Sequence, residues 1–198
     1  MVKVGVLAVQ GDFLEHIQIL RELGVEAVQV KRQEDLRGVD ALIIPGGEST
    51  TIGKLMALNK LDEAVIDYSR NGMPIMGTCA GAILLAKSVT DKVVGVVNQP
   101  TLKLMDIKVV RNYFGRQRDS FIAKVHLEEI GEVEVAFIRA PAIVEAWGDA
   151  RITGFIDHPK VGRTGVAAKQ GSMIALAFHP EITGEVRVYK YFIGMVRR

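Results

Sequence analysis

The chain has 198 residues, 48% of them hydrophobic and 24% charged, and these values fit one globular domain over residues 1–198. The formal net charge of +2 is too small for a nucleic-acid-binding protein, and the densest basic stretch, at Arg111, Arg116 and Arg118, is too short. The sequence shows no signal peptide and no apolar run of about 18–20 residues, and its single cysteine excludes an internal disulfide, so we expect a cytoplasmic protein without a membrane span.

Short apolar runs alternate with amphipathic stretches through the first half of the sequence. The apolar runs predict strands at 3–9, 25–30, 41–44 and 74–77. Apolar residues at helical spacing predict helices at 12–23, 50–58, 61–70 and 80–87, with a short turn or helical piece at 34–36. This order of elements predicts a mostly parallel sheet that is covered by helices on both faces.

The second half consists mainly of short runs that are separated by turn residues. These runs predict strands at 93–97, 102–110, 120–125, 134–138, 143–147, 165–169 and 173–178. A final helix is predicted at 185–196, with its apolar residues on one face. The sequence therefore predicts an α/β fold, a three-layer α/β/α domain whose sheet is mixed and mostly parallel.

The single cysteine lies in a turn between a predicted strand and a predicted helix. This turn, Gly77-Thr78-Cys79-Ala80-Gly81, is the cysteine form of the Gly-x-Ser-x-Gly nucleophile elbow. Glycines two positions before and after the central residue relieve crowding in such a sharp turn. The start of a helix stabilises a thiolate, and the N–H of Ala80 would point toward an oxyanion. A buried structural cysteine is the alternative interpretation.

A histidine and a glutamate follow the last predicted strand. Of the four histidines, His179 alone comes directly after a strongly apolar run, and Pro180 separates it from Glu181. A thiol nucleophile needs a base that takes its proton and returns it to the leaving group, and a carboxylate that orients the imidazole. We expect His179 and Glu181 to take these two roles, although Glu181 would also suit a solvent-exposed position at a helix start.

A glycine pair follows the third predicted strand, and arginines lie in two later turns. Gly46 and Gly47 allow the backbone to approach a ligand, so the N–H groups of Gly47 and Ala80 are candidate oxyanion donors. A plain turn that ends in a helix cap at Ser49 or Thr50 fits the same residues. Arg111 and Arg139 are candidate partners for the carboxylate of an amino-acid substrate.

Three motifs occur in the order typical of the triad-type (class I) glutamine amidotransferases. They are Gly46-Gly47-Glu48-Ser49-Thr50, Gly77-Thr78-Cys79-Ala80-Gly81 and Phe178-His179-Pro180-Glu181. Four further stretches resemble the glutaminase subunits of pyridoxal 5'-phosphate synthases: Leu7-Ala8-Val9-Gln10-Gly11 with Glu15-His16, the segment from Arg111 to Gln117 with Asp119-Ser120-Phe121, Phe137-Ile138-Arg139-Ala140-Pro141, and Ala167-Ala168-Lys169-Gln170-Gly171. The resemblance covers nearly the whole chain.

The resemblance implies a flavodoxin-like fold and a role for each motif. Cys79 would attack the amide of L-glutamine, with His179 as base and acid and Glu181 as its support. Gly47 and Ala80 would form the oxyanion hole. The substrate would be held by Gly47, Glu48, Ser49, Arg111, Ile138 and Arg139.

The resemblance also implies a partner. Members of this family pass ammonia to a separate synthase subunit, in a ring-shaped hetero-oligomer that makes pyridoxal 5'-phosphate from a pentose phosphate and a triose phosphate. Gln10 would face that subunit and the oxyanion hole. We expect no cofactor and no metal.

Two stretches depart from the family pattern, and three alternatives remain. The stretch 91–95 is shorter than expected, and residues 157–163 form an unusual turn, so we expect the loops there to differ in shape from those of the family. The chain could be a glutaminase that serves another synthase, a cysteine hydrolase outside the amidotransferases that shares the elbow, or an inactive binding module.

Overall fold

The computed structural model describes residues 2–196. Within this range the strands are β1 Lys3–Leu7, β2 Glu26–Val30, β3 Ala41–Ile44, β4 Ile75–Thr78, β5 Ala86–Asp91, β6 Gly95–Val96, β7 Met105–Arg111, β8 Phe121–Leu127, β9 Gly131–Phe137, β10 Ala142–Ala146, β11 Arg151–His158, β12 Gly162–Gln170 and β13 Met173–Leu176. The helices are α1 Phe13–Glu22, α2 Ser49–Leu58, α3 Leu61–Arg70, α4 Ala80–Leu85, α5 Pro180–Thr183 and α6 Val186–Gly194, with 3-10 turns at Gln33–Leu36 and Gln117–Asp119.

The strands form one mixed sheet in the order β2-β1-β3-β4-β13-β12-β10-β7-β5-β6. Strands β2, β1, β3, β4 and β13 are parallel neighbours, and β5 is parallel to β7. Strands β12 and β10 join these parts with antiparallel pairings, and β11, β8 and β9 extend from β12. The parallel part places the carboxyl ends of β1, β3, β4 and β13 at one edge, where ligand sites of α/β sheets occur.

Both faces of the central strands are buried, which produces three layers. Consecutive strand residues point to opposite faces. In β3, Ala41 and Ile43 therefore join the core on the side of α1 and α6, whereas Leu42 and Ile44 join the core formed with α2, α3 and α4. The predicted α/β fold with a mixed sheet is confirmed. In the described part of the chain, no helix is long and apolar enough to cross a membrane.

The structure differs from the sequence-based elements at several places. The helix predicted at 80–87 ends at Leu85, because Ala86 adopts an extended backbone and starts β5, which pairs with β7. The strand predicted at 93–97 is reduced to Gly95–Val96, preceded by a turn in which the Asp91 carboxylate accepts hydrogen bonds from Val93 N and Val94 N. Residues 157–163, expected as an unusual turn, are the tip of the β11–β12 hairpin.

Strand β11 was missed entirely in the sequence. Its pattern is interrupted by Gly154, where a Cβ atom would lie 2.5 Å from Leu127 Cδ2 and 3.1 Å from Ala167 Cβ. The glycine lets β8 and β12 approach β11 from both sides. Glycine is uncommon in strand interiors, so a glycine that is needed for close packing makes its segment look unlike a strand in the sequence.

Candidate active site

Cys79 lies in a strained turn between β4 and α4. Its backbone has φ 48° and ψ −99°, in a region that residues with a Cβ rarely adopt. The turn is held in place by the Cys79 N–H, which donates to Leu176 O of the neighbouring β13 at 2.7 Å. Such strain persists only where the surrounding structure determines it, and it is common at functional sites. Cys79 is thus fixed at the edge of the sheet, immediately before the first residue of a helix.

The two glycines of the elbow lie where a side chain would not fit. A Cβ at Gly77 would approach Gly81 C to 2.5 Å, and a Cβ at Gly81 would approach Ile44 O to 2.1 Å. Both contacts are with backbone atoms, which cannot rotate away. The glycine spacing that marked the turn in the sequence therefore has a direct steric cause in α4 and β3.

His179 connects Cys79 to Glu181. It follows β13 and caps α5, and its backbone N–H donates to Ala136 O of β9 at 2.8 Å. His179 Nδ1 lies 2.6 Å from Glu181 Oε1, and the ring lines the same cleft as the Cys79 thiol. Both the histidine and the glutamate are buried. The three candidate catalytic residues, distant in sequence, are therefore brought together at one site, with His179 and Cys79 in the same cleft and Glu181 bonded to the His179 ring.

The surroundings of the ring favour its protonated form. Burial alone would lower the pKa of His179, but hydrogen bonds to Cys79 and Glu181 and the charges of both groups raise it to about 11. Burial likewise opposes the charge on Glu181, but the hydrogen bond with His179 outweighs it and lowers the pKa of that carboxyl. A protonated imidazole beside a thiol stabilises the thiolate, which is the nucleophilic form.

The glycine pair after β3 lies against His179 and Gln10. A Cβ at Gly46 would lie 2.5 Å from His179 Cε1, and a Cβ at Gly47, where φ is 147°, would lie 2.7 Å from Gln10 Oε1. That Gln10 oxygen accepts a hydrogen bond from Glu48 N at 2.9 Å. Gln10 is therefore in direct contact with the loop that carries the candidate oxyanion donor Gly47.

Glu48 caps α2 with its carboxylate. The two carboxylate oxygens accept from Thr50 N at 3.0 Å and from Thr51 N at 2.8 Å. Burial would raise the pKa of Glu48, but these bonds and those to the threonine hydroxyls lower it below its usual range. The sequence placed the helix cap at Ser49 or Thr50, whereas the cap is Glu48 and Ser49 Oγ pairs with the Gln99 side chain instead.

Arg111 forms part of the wall of the site. Its Nη1 donates to Gln99 Oε1 at 2.5 Å and to Thr50 Oγ1 at 3.3 Å. The same guanidinium lies 3.7 Å from both Glu48 Oε1 and Asp91 Oδ2. These contacts connect β7 with α2 and with the turn after β5, so Arg111 stabilises the cleft wall in addition to facing the cleft.

The candidate residues surround one cleft of about 400 Å³. Its lining includes Cys79, Ala80 and His179 as well as every residue expected to hold glutamine, namely Gly47, Glu48, Ser49, Arg111, Ile138 and Arg139. The volume is sufficient for an amino acid. A larger depression of about 930 Å³ shares Asn112, Gln117 and Arg139 with the cleft but contains none of the three candidate catalytic residues.

Two residues next to the triad received no role from the sequence. Asp12 lines the cleft, with Oδ2 3.7 Å from His179 Nδ1, and burial raises the pKa of its carboxyl. His16 is fully buried behind Glu181. Asp12, His179 and Glu181 have ligand atoms within 4.8 Å of one another and could hold a cation, but His179 Nδ1 already forms its hydrogen bond with Glu181.

Known proteins resemble this chain over nearly its whole length. A model of the SNO glutamine amidotransferase family matches residues 6–198. A Hyperthermus butylicus protein named pyridoxal 5'-phosphate synthase subunit PdxT is 56% identical over 198 residues, covering 100% of this chain and 98% of the relative. A protein of the same name from Pyrobaculum neutrophilum is 53% identical and covers 98% and 99%.

Solved structures of other proteins share the fold of this chain. A structure described as a glutamine amidotransferase is 41% identical, has a TM-score of 0.88 and covers 98% of each chain. PurLQS from Thermotoga maritima is 14% identical with a TM-score of 0.71, which shows a shared fold alone. On the family match and the identity to full-length relatives, the chain belongs to the SNO glutamine amidotransferase family.

Proposed function

We propose that the chain hydrolyses L-glutamine to L-glutamate and ammonia, as the glutaminase subunit of a pyridoxal 5'-phosphate synthase. The observation that carries this proposal is the position of His179, which lines the same amino-acid-sized cleft as Cys79 and lies 2.6 Å from Glu181. The names of the PdxT relatives support the assignment to this synthase.

The first half of the reaction forms a thioester. The Cys79 thiolate attacks the side-chain amide carbon of glutamine, and the electron pair of the carbonyl moves to its oxygen. The N–H groups of Gly47 and Ala80 stabilise that oxyanion. When the carbonyl re-forms, the protonated His179 gives its proton to the amide nitrogen, the C–N bond breaks and ammonia leaves.

The second half releases glutamate. Neutral His179 takes a proton from water, which attacks the thioester carbon, and the C–S bond breaks to return the thiolate. Glu181 holds the ring by its Nδ1 and stabilises the imidazolium that gives up its proton in the first half and forms again in the second. The buried 2.6 Å contact between the two side chains suits this role.

The substrate and partner contacts follow from the cleft. Arg139 would bind the α-carboxylate of glutamine beside Ile138. Arg111 would help to hold the substrate together with the Glu48–Ser49 segment, which its guanidinium supports. Gln10, which contacts Glu48 N, would transmit docking of the synthase subunit to the oxyanion loop. We propose one amidotransferase domain, a cytoplasmic location and a ring-shaped hetero-oligomer with the synthase subunit.

Ammonia release measured in the presence of different partners tests the proposal. We expect glutamine hydrolysis by this chain to accelerate when the synthase subunit of a pyridoxal 5'-phosphate synthase is added. A synthase subunit that accepts ammonia in purine or guanine-nucleotide metabolism should have no effect. Acceleration by the second partner would assign the chain to a different amidotransferase, and no hydrolysis with any partner would reject the glutaminase activity.

Replacement of Arg139 separates a glutaminase from a cysteine hydrolase of another kind. Arg139 has φ 47°, a conformation that asparagine tolerates well, so Arg139→Asn keeps the backbone and removes the cation. We expect KM for glutamine to rise about 10- to 100-fold, the usual cost of a lost hydrogen bond to a charged group. Alkylation of Cys79 by iodoacetamide should keep its rate.

Arg118→Asn is the matched control, because Arg118 lies in the neighbouring depression and outside the cleft lining. Its KM for glutamine should equal that of the unmodified chain. An unchanged KM in Arg139→Asn would contradict the assignment of Arg139 to the substrate carboxylate.

A further inference from the structure

A row of buried polar groups lies behind the triad, on the side away from the cleft. Tyr189 Oη of α6 is 2.7 Å from His16 Nδ1 of α1, and His16 Nε2 is 3.3 Å from Thr78 Oγ1 of β4. His16, Thr78 and Tyr189 are all fully buried. Polar groups at this depth destabilise a fold unless they are paired, and apolar side chains would fill the same space at a lower cost. The row therefore indicates a function other than packing.

The row ends at the second oxygen of the Glu181 carboxylate. His16 Nε2 lies 3.6 Å from Glu181 Oε2, and both side chains are fully buried. Within residues 2–196 that oxygen has no hydrogen-bond partner, whereas Oε1 of the same carboxylate is bonded to His179. The Nε2 atom is therefore placed to act on a buried carboxylate oxygen that is otherwise unpaired.

The contacts of His16 determine which of its nitrogens carries the proton. Burial lowers the pKa of His16, so the ring is neutral and has one N–H. The charge of His179 lowers this pKa as well, and the charges of Glu181 and Glu15, which raise it, do not outweigh the burial. If Nδ1 carried the proton, the Nε2 lone pair would face the Glu181 carboxylate, and the Tyr189 hydroxyl would lose its acceptor. With the proton on Nε2, Tyr189 donates to Nδ1, and the N–H faces Thr78 and Glu181.

We propose that His16 is a positioning residue of the triad: Tyr189 fixes its tautomer, and its Nε2–H, 3.6 Å from Glu181 Oε2, attracts that oxygen electrostatically so that Oε1 stays against His179. The proposal rests on the proposed glutaminase activity and deepens it. His16 is fully buried and does not line the cleft, so it acts on the reaction through Glu181. The row thus connects α6 and α1 to the orientation of the catalytic imidazole.

Kinetics of three variants in complex with the synthase subunit test the proposal. His16→Leu removes the donor, Tyr189→Phe removes the group that fixes the tautomer, and His16→Gln keeps an N–H near the position of Nε2. We expect kcat for glutamine to fall about 10- to 100-fold in His16→Leu and severalfold in Tyr189→Phe, because a buried carboxylate oxygen loses, or holds less firmly, the N–H dipole that faces it. His16→Gln should recover most of the activity.

The pH profile distinguishes positioning from a structural effect. A carboxylate that loses a donor is protonated more easily, so the acid limb of kcat should move to higher pH in His16→Leu and in Tyr189→Phe. His16→Gln should retain the limb of the unmodified chain. His126→Gln, at an exposed position of β8, is the control and should change neither kcat nor the limb.

Unshifted acid limbs in His16→Leu and Tyr189→Phe would overturn the proposal, as would a loss in His16→Gln equal to that in His16→Leu. If His16→Leu does not fold, the pH profile of Tyr189→Phe is the remaining test, and an unchanged acid limb of kcat in that variant overturns the proposal.

Histidine ¹⁵N NMR of the chain tests the tautomer without any assay of glutamine. The resonance that disappears in His16→Gln should show a neutral ring protonated at Nε2, and it should change in Tyr189→Phe. A ring protonated at Nδ1, or at both nitrogens near neutral pH, would overturn the proposal. Failure of the glutaminase assay with the unmodified chain would instead reject the proposed function and leave this result standing.

Discussion

Replacing Cys79 with alanine should abolish glutamine-dependent activity and leave synthesis from free ammonia intact. The thiol is the proposed nucleophile, and removal of a nucleophile from a triad enzyme lowers kcat by at least about 10³-fold. The fold should survive, because the hydrogen bond described for the sulfur is a long one, to Ile138 O at 3.9 Å. Alanine and cysteine both carry a Cβ, so the backbone strain at φ 48° is no larger with alanine than with cysteine.

The decisive comparison is between two rates of the complex reconstituted with the synthase subunit. Pyridoxal 5'-phosphate formation should disappear with glutamine and persist with an ammonium salt. Ser69→Ala, a small change at a half-buried hydroxyl on α3, is the remote control and should keep both rates. If Cys79→Ala retained glutamine-driven turnover, the nucleophile would have to be another group.

The elbow could be predicted from the sequence because its causes are local. The Gly77 and Gly81 positions, the apolar strand before them and the helix after them all lie within a few residues of Cys79. His179 could be placed at the same edge because parallel strands β4 and β13 end together. Motifs at the ends of parallel strands are therefore more predictable from sequence than those elsewhere.

The supporting groups could not be predicted, because their meaning depends on distant partners. His16 lies on the buried face of α1 and has no sequence feature that links it to Tyr189, 173 residues away. Arg111 presents the opposite case. Because it is an arginine, the sequence indicated that it binds the carboxylate of the substrate. Only the folded chain shows that its guanidinium already contacts Gln99, Thr50, Glu48 and Asp91. Its contact with glutamine stays a prediction.

Gly81→Ala should destabilise the chain although it replaces a helical glycine with the best helix former. In an ordinary helix this change stabilises by up to about 1 kcal/mol. Here the new Cβ would lie 2.1 Å from Ile44 O, a backbone atom of β3, so α4 must move away from the sheet. Overpacking of this kind costs about 1–3 kcal/mol, which outweighs the gain in helix propensity.

The movement of α4 would also displace Cys79, and a misplacement of about 1 Å can lower catalysis about 100-fold. We therefore expect a lower free energy of unfolding by denaturant titration together with slower glutamine hydrolysis. Gly194→Ala is the matched control, since Gly194 is also helical, at the end of α6, and a Cβ there meets nothing within 4 Å. It should be neutral or slightly stabilising with full activity. Equal stability of the two variants would show that contact with β3 does not require a glycine at position 81, and that the elbow tolerates a side chain there.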